Sequence, residues 1–380
     1  MKNALPSDIS QLLGGYSADR FLARYWHKRP LLVRRAIPGF RPLLTRAQLF
    51  ALAGRDDVES RLVSRVRGRF RLEHGPFAAR ALRRGTAPPW TLLVQGVNLH
   101  HAGADALLQR FGFVPSARLD DLMISWATDG GGVGPHFDSY DVFLLQAHGR
   151  RRWRISTQRD RALVPGAPLR ILRDFRPGEE WVLEPGDMLY LPPGCAHDGV
   201  ALGECMTYSI GFRAPSAQEL TRGYLEHLAD HLQRPGMYAD PDLRATRAPA
   251  RVPERYVERA MRLIGTLRPT RESVAAFLGA YLSEPKASVF FDPPAAPLAR
   301  ARFARAAAAR GVRLDPRTRM LHRGRALYVN GDTFADAASP ALTALADARR
   351  LAPGPLPAGR DLDLLYAWYT HGWLHPGASP

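Results

Sequence analysis

The chain contains 380 residues, of which 46% are apolar and 23% charged; these proportions are typical of a globular protein and exclude bulk disorder. Its length predicts two or three domains. The N-terminus "MKNALPSDIS" lacks the apolar core of a signal peptide, and no run approaches the ~18 apolar residues of a membrane span, so we expect a cytoplasmic protein without a membrane segment. Only two cysteines occur, Cys195 and Cys205, too few and too isolated for a disulfide framework or a zinc site.

The net charge of +17 has two explanations that composition alone leaves open. Clustered Lys and Arg side chains bind phosphate by counterion release, which would make RNA a partner. Arginine is nevertheless abundant along the whole chain together with alanine, proline and glycine, as a compositional bias would produce, and no nucleic-acid recognition motif accompanies the charge.

The first 89 residues are predicted to form a helical and strand segment that packs on a barrel. Residues 17–30 have the pattern of an amphipathic helix that Ser17 caps, with large apolar side chains at helical spacing and Pro30 after its end. The run "LLVRR" that follows is predicted to be a strand.

Residues 90–215 change to short apolar or alternating segments between Gly and Pro turns, including "DDLMISWA", "DVFLLQ", "RRWRIS", "DMLYLPP" and "MTYSIGF". Many short strands at this spacing predict a β-sandwich or a barrel. Residues 216–285 are predicted to be helical. Residues 286–380 are predicted to form a winged-helix-like domain, in which a helix precedes a hairpin around "RMLHRGRALYVNGDTF" and two more helices follow.

The stretch "GGGVGPHFDSYDVF" places His136 and Asp138 on one face of an extended segment, because successive side chains of a strand alternate. A third ligand is available in "LEPGDMLYLPPGCAHDG", where His197 follows a strand and a Pro-Pro-Gly turn. Two histidines and one carboxylate form the facial triad of non-haem Fe(II) oxygenases. A lone His-x-Asp would more often be structural, but the combination of all three features predicts a metal site.

A co-substrate site is predicted from "GRRRWRI" and "DDLMIS". Alternation places Arg151 among apolar side chains, where a guanidinium needs an anionic partner. That partner could be a structural Asp or Glu, but beside a facial triad we favour the carboxylate of 2-oxoglutarate. Ser125 is available to hydrogen-bond the same co-substrate. Asp121 lies on the same strand face and would line the barrel mouth, unless it serves only as a turn or cap residue.

The same segments resemble the JmjC-type ribosomal oxygenases, most closely the bacterial enzymes that hydroxylate an arginine of large-subunit ribosomal protein sixteen. The similarity also includes "RYWHKRPLLVRRAI", "VESRLVSR", "HGPF" and "ALYVNGD", so it covers most of the chain. It implies a mainly β JmjC-cupin fold, a double-stranded β-helix or jelly roll, with an α-helical dimerisation region at 216–285 and a C-terminal winged-helix-like domain. The family's Fe(II) ligands fall on His136, Asp138 and His197, and its 2-oxoglutarate contacts on Ser125 and Arg151.

The resemblance also implies a substrate-binding pocket made of Asp121, Met123, Tyr140 and Ser209, in which Asp121 would contact the guanidinium. It implies dioxygen as the second co-substrate, a ribosomal protein as partner and a homodimer. Two alternatives remain: a histidine hydroxylase of another ribosomal protein, which an acid such as Asp121 would suit less well, and a non-catalytic cupin-like ribosome assembly or binding factor, against which the intact triad argues.

Overall fold

The structure is a computed structural model that describes residues 9–82, 88–233 and 235–377. These divide into two compact units. The first contains the described residues up to Ala214, the segment Pro285–Thr318 and the residues from Ser339 onward. The second contains Pro215–Glu284 and Arg319–Ala338. The strands at Arg319–Ala338 thus group with the helical region, while the domain boundaries expected at residues 89, 215 and 285 stay predictions.

The first unit is built on a nine-stranded sheet within the described residues. The strands are β1 (Leu31–Val33), β2 (Ser60–Val66), β3 (Arg69–His74), β4 (Trp90–Val94), β5 (Leu119–Ala127), β6 (Val142–Ser156), β7 (Glu179–Leu183), β8 (Met188–Leu191) and β9 (Ala196–Phe212). They pair in the order β1-β8-β6-β9-β5-β4-β2-β3, and β7 pairs with β6. All of these pairs are antiparallel.

Two long strands organise this sheet. The segments "DVFLLQ" and "RRWRIS", predicted to be separate strands, belong to the single 15-residue strand β6, and β9 has 17 residues. The β6–β9 register shifts on both sides of His148, and Gly149 has a φ of +61°. Because such a bulge bends a strand, one strand can serve two parts of a barrel. Sequence patterning had divided it at this bulge.

The N-terminal segment packs on the sheet through an aromatic cluster. Phe21 is fully buried, and its ring centroid lies 4.9 Å from that of Tyr190. Ser17 caps the helix as predicted, with its Oγ accepting from Arg20 N at 3.3 Å. The helix itself spans only Ala18–Arg24, shorter than the predicted 17–30, and His27 has a φ of +57°. A left-handed residue is incompatible with a continuing helix.

The α-helices of the described residues vary in length from a single turn to 15 residues. They are α1 (Ile9–Leu12), α2 (Ala18–Arg24), α3 (Arg46–Ala53), α4 (Ala102–Gln109), α5 (Ala217–His231), α6 (Glu254–Ile264), α7 (Arg271–Ser283), α8 (Arg300–Arg310), α9 (Pro340–Ala348) and α10 (Arg360–Thr370). Short 3-10 turns occur at Ala79–Leu82, Val97–Leu99 and Ser116–Arg118. None of the described helices is both long and apolar enough to span a membrane.

Two small sheets follow the barrel in the chain. In the second unit, β11 (Met320–Arg323), β12 (Ala326–Val329) and β13 (Asp332–Phe334) form a meander, so that the predicted hairpin has a third strand. In the first unit, β10 (Val312–Leu314) pairs with β14 (Arg350–Leu351) and β15 (Leu374–Pro376). The fold is therefore mainly β with added helical and winged-helix elements.

Candidate active site

Backbone pairing brings the two predicted histidine ligands together. His136 lies in the loop before β6, and His197 is the second residue of β9. The two form an antiparallel bridge: His136 N donates to His197 O at 2.9 Å, and His197 N donates to His136 O at 2.7 Å. The backbone of Asp138 is also held, because Gly194 N donates to its carbonyl oxygen at 2.7 Å. Main-chain hydrogen bonds thus fix the three positions relative to one another.

The side chains of these residues converge on one point. One ligand atom from each of His136, Asp138 and His197 lies within 4.8 Å of the other two. His197 Nε2 is 3.7 Å from Asp138 Oδ2, and the two imidazole centroids are 4.2 Å apart. This separation leaves room for one ion among the three side chains. The sequence-predicted triad is therefore assembled in space.

Each imidazole has the protonation pattern that a metal ligand needs. His136 Nδ1 lies 2.8 Å from Gly134 O, and His197 Nδ1 lies 3.0 Å from Cys195 O. A carbonyl oxygen can only accept, so Nδ1 carries a proton in both rings, which leaves Nε2 as the nitrogen available to a metal ion. Burial, and secondarily the neighbouring His136, lowers the pKa of His197 to about 4, which keeps this ring neutral near pH 7.

Two glycines allow the strands to approach this closely. Gly134 has a φ of +80°, and a Cβ there would lie 2.6 Å from the Phe70 ring. Gly199 faces Trp153 across the β6–β9 ladder, and its Cβ would lie 2.6 Å from that ring. A side chain at either position would displace an aromatic ring. The glycine-rich lead-in to the His-x-Asp motif thus has a steric cause.

The predicted co-substrate residues lie together within the barrel. Arg151 is only 5% exposed and Ser125 only 2%. Arg151 Nη1 donates to Ser125 Oγ at 3.4 Å, a weak hydrogen bond, while its Nε and Nη2 have no hydrogen-bond partner among the described residues. Arg151 also has no ion pair there. A buried guanidinium with two unsatisfied donors fits an anionic ligand. A carboxylate of 2-oxoglutarate has the negatively charged acceptor oxygens that this arginine lacks.

The four predicted substrate residues lie on β5, β9 and the loop before β6. Met123 and Ser209 are direct cross-strand partners. Asp121 is 8% exposed, and its Oδ2 accepts from Gly96 N at 3.0 Å. Tyr140 is 40% exposed; burial of part of this side chain and the nearby carboxylates of Asp138 and Asp121 raise its pKa. Tyr140 thus lies near both the triad and Asp121.

Sequence analysis missed a lysine at Asp121. Lys286 Nζ lies 3.1 Å from Asp120 Oδ2 and 3.5 Å from Asp121 Oδ2, although 165 positions separate Lys286 from Asp121 in the chain. Burial raises the pKa of the Asp121 carboxyl, and Lys286 opposes that rise. No local motif marks Lys286, so only the structure identifies it as a neighbour of the candidate substrate site.

Gln146 is a second residue that sequence analysis missed. It is fully buried, pairs with Thr207 across the β6–β9 ladder, and accepts from Thr207 Oγ1 at 2.9 Å through its Oε1. Thr207 in turn pairs with Ser125. Gln146 therefore supports the strand face that carries the co-substrate residues. Its position just before the β6 bulge explains why simple alternation did not place it.

A barrel with a partly buried two-histidine, one-carboxylate cluster and a buried arginine that lacks an ion pair among the described residues is typical of a JmjC-type, 2-oxoglutarate-dependent non-haem iron dioxygenase. Two family models agree with this class: the JmjC domain matches residues 106–220 and the ROXA-like winged helix matches residues 266–375. The AraC-like ligand binding domain also matches, at residues 175–284. The chain belongs to the JmjC ribosomal oxygenases.

Individual relatives support this assignment. The "Ribosomal protein uL16 3-hydroxylase" of Escherichia coli (strain K12) is 36% identical over 86% of this chain and 87% of its own length. A "Probable ribosomal oxygenase" of Haemophilus influenzae is 34% identical over 59% of this chain and 54% of its own. The structure of YcfD, a ribosomal oxygenase from Escherichia coli, in complex with cobalt and 2-oxoglutarate superposes with a TM-score of 0.80 at 33% identity, covering 95% of this chain and 98% of that one.

Proposed function

We propose that this enzyme uses Fe(II), 2-oxoglutarate and dioxygen to hydroxylate an arginine side chain of large-subunit ribosomal protein sixteen, uL16. The observation that carries the proposal is the buried carboxylate of Asp121, on the same strand as the co-substrate residue Ser125. Its ion pair with the partly exposed Lys286 is long, at 3.5 Å, and Lys286 is shared with Asp120. A substrate guanidinium would be a better partner, because it forms charge-assisted hydrogen bonds with a carboxylate. The name of the Escherichia coli relative and the cobalt and 2-oxoglutarate complex of YcfD support the same reaction.

His136, Asp138 and His197 would hold Fe(II). When bound with 2-oxoglutarate, the metal supplies the dioxygen chemistry that converts a carbon–hydrogen bond to an alcohol while 2-oxoglutarate becomes succinate and carbon dioxide. The chain contributes two imidazoles whose Nδ1 groups donate to backbone carbonyls, so that Nε2 is the ligand atom of each, and one carboxylate. Such a three-residue ligand set would leave room at the metal for the co-substrates.

Arg151 and Ser125 would bind the carboxylate of 2-oxoglutarate that is remote from the metal. The two free donors of the buried guanidinium provide charge-assisted hydrogen bonds, and the Ser125 hydroxyl supplies another contact. The inward-facing Trp153 and Ile155, both at most 5% exposed, exclude water from this end of the barrel. Exclusion of water strengthens the electrostatic contact.

Asp121, Met123, Tyr140 and Ser209 would bind the substrate arginine. In this arrangement Asp121 takes the guanidinium, Met123 and Tyr140 contact the aliphatic part, and Ser209 offers a hydroxyl. Lys286 lies within ion-pair distance of both Asp120 and Asp121, so it would compete with the substrate guanidinium for Asp121 and would have to keep only its contact with Asp120 when substrate binds. The Asp121 carboxylate favours a side chain that is always positively charged. An arginine guanidinium is always charged, whereas the imidazole of the alternative histidine substrate is only weakly basic.

Mass spectrometry tests this function directly. Purified enzyme, Fe(II) and 2-oxoglutarate are incubated with uL16 and with a uL16 in which each arginine is changed to lysine in turn. We expect uL16 to gain the mass of one oxygen atom, with the modification assigned to a single arginine by fragmentation. Modification of a histidine instead, or 2-oxoglutarate turnover that uL16 never stimulates, would contradict the proposal.

We also propose a homodimer formed through α5–α7. This helical region exposes large apolar side chains, including Leu225, Met261 and Ile264, each at least 60% exposed. Exposed apolar side chains mark interaction surfaces, and in a homodimer the same surface of a second copy covers them in an isologous contact.

Light scattering should give twice the chain mass, and the double variant Met261→Glu, Ile264→Glu should be monomeric. Phe290→Glu, at a 68% exposed position of the other unit, is the matched control; a monomeric wild type contradicts the proposal.

A ribosomal protein substrate places this activity in the cytoplasm, where ribosomal proteins are made and assembled. The net charge of +17 opposes direct attraction of a cationic side chain and is better matched to ribosomal RNA near the substrate. Encounter on or beside RNA is therefore part of the proposal.

A further inference from the structure

The outward face of β6 forms a cleft of about 920 Å³ that the catalytic site does not use. Strand alternation sends Arg151 into the barrel and Arg152 and Arg154 outward. The β2–β3 hairpin and the segment 164–175 provide the other walls. We call this feature the arginine cleft and define it by its guanidinium groups: Arg65, Arg69, Arg152, Arg154 and Arg173.

The arginine cleft has an excess of positive charge. Asp198 is the one carboxylate among its described lining residues, and it pairs with Arg154 at 2.5 Å. Arg173 pairs with its neighbour Asp174 at 2.9 Å. The three other arginines have no ion pair among the residues that the structure describes. Moreover, Nε of Arg152 and Nε of Arg154 are buried with no hydrogen-bond partner there. Buried donors without partners point to an anion that the chain itself does not supply.

Aromatic rings lie among these cations. Phe70 and Phe175 both line the arginine cleft and are half-buried. The Arg65 guanidinium lies 5.5 Å from the Phe70 centroid, and that of Arg154 lies 5.9 Å from the Phe175 centroid. Proteins that bind single-stranded nucleic acid combine a positive groove, which follows the phosphates, with aromatic rings on which bases stack. An acidic peptide would use the charge but has no comparable use for the rings.

We infer that the arginine cleft binds a single-stranded segment of RNA. Its guanidinium groups would contact successive phosphates, and Phe70 and Phe175 would stack with bases. This inference rests on the proposed ribosomal substrate for the choice of RNA, because an enzyme that acts beside ribosomal RNA meets that polyanion first. His197 and Asp198 are consecutive on β9 and face opposite ways, so the RNA would lie on the reverse side of the sheet from the metal site.

Fluorescence anisotropy of a labelled single-stranded RNA tests the inference. Full-length protein is titrated into RNA of about 15 nucleotides, near the upper site size of one single-strand-binding module, at several salt concentrations. The triple variant Arg65→Ser, Arg69→Ser, Arg152→Ser should bind at least about tenfold more weakly. Its slope of log affinity against log salt should become shallower by about 2, since each lost phosphate contact contributes roughly 0.7.

A matched triple variant separates a site from general charge. Arg302→Ser, Arg305→Ser, Arg310→Ser removes the same three charges from exposed positions of α8. We expect it to bind RNA within about twofold of wild type, because salt screens the effect of charges that are remote from the bound RNA. Equal losses in the two triple variants, or no loss in the cleft variant, would overturn the inference.

Phe175→Leu tests the aromatic contribution and should weaken RNA binding about fivefold, the lower end of a lost base stack. Competition with polyglutamate tests the ligand class. RNA should remain bound when the concentration of polyglutamate carboxylates equals that of the RNA phosphates. Displacement by polyglutamate would assign the cleft to acidic polypeptide and overturn the RNA assignment.

Both RNA-binding measurements are independent of hydroxylation. RNA binding without uL16 modification would therefore refute only the proposed function, and modification without cleft-dependent RNA binding would refute only this inference.

Discussion

The metal end and the substrate end of the barrel are constructed by different means. At the metal end, main-chain bonds join His136 to His197, and backbone carbonyls orient both rings. At the substrate end, Asp121 contacts a lysine from a remote segment, and Tyr140 is 40% exposed. The first arrangement is rigid because the sheet itself determines it, whereas the second depends on side chains that can move or change. We therefore expect the fold to hold the metal ligands constant and the proposed substrate specificity to depend on a few replaceable side chains.

Loss of a metal ligand should have the largest effect. His136→Ala or His197→Ala should reduce hydroxylation by well over a hundredfold, more than the roughly 10–100-fold that changes outside the ligand set produce. Metal content by mass spectrometry should fall while circular dichroism stays unchanged. His148→Ala, an exposed histidine at the β6 bulge, is the matched control. Full activity in either ligand variant would remove the triad assignment.

At the substrate end, Asp121→Asn should lower kcat/KM for a uL16 fragment by about ten- to a hundredfold. The substitution keeps the shape but replaces a charge-assisted contact, which contributes about 1.5–3 kcal/mol, with a neutral one. Iron content and affinity for 2-oxoglutarate, measured separately, should not change. If peptide turnover is also unchanged, Asp121 is only a turn residue and arginine specificity comes from elsewhere.

Arg151→Lys should raise the KM for 2-oxoglutarate by about tenfold and leave the KM for the uL16 fragment nearly constant. Lysine keeps the charge but loses the planar fork that binds a carboxylate with two donors. Arg150→Lys, an exposed position on the same strand, should leave both constants near wild type. An equal response of the two variants would show that the charge of the strand, and no specific contact, matters.

Lys286→Met should have the smallest effect, a two- to fivefold lower KM for the fragment, in the range that partly exposed ion pairs produce. It removes the cation that competes at Asp121. Lys286→Arg keeps a cation and should stay near wild type, and the effect should vanish in the Asp121→Asn background. A higher KM in Lys286→Met would mean that the lysine maintains the ionised carboxylate and does not compete with substrate.

This contrast also explains what the sequence could predict. The triad, Arg151 and Ser125 lie on extended segments in which a period of two assigns faces, so the local pattern predicted that the three triad side chains converge and that Arg151 and Ser125 face inward. Lys286 reaches Asp120 across 166 positions, and no local rule encodes such a contact. The β6 bulge hid the continuity of that strand and the role of Gln146, because an extra residue shifts the alternation. The early end of α2 depends on His27, whose left-handed backbone the apolar spacing did not reveal.

The two faces of strand β6 line two different features of the molecule. From Arg151 to Ile155, odd positions line the barrel and even positions line the arginine cleft. A one-residue insertion or deletion here would exchange the two sets, because side chains of a strand alternate with a period of two. Evolution can therefore replace residues on either face one at a time but can hardly change the length of this segment. Drift within the family should thus occur by substitution along β6 and by insertion only in the turns at its ends.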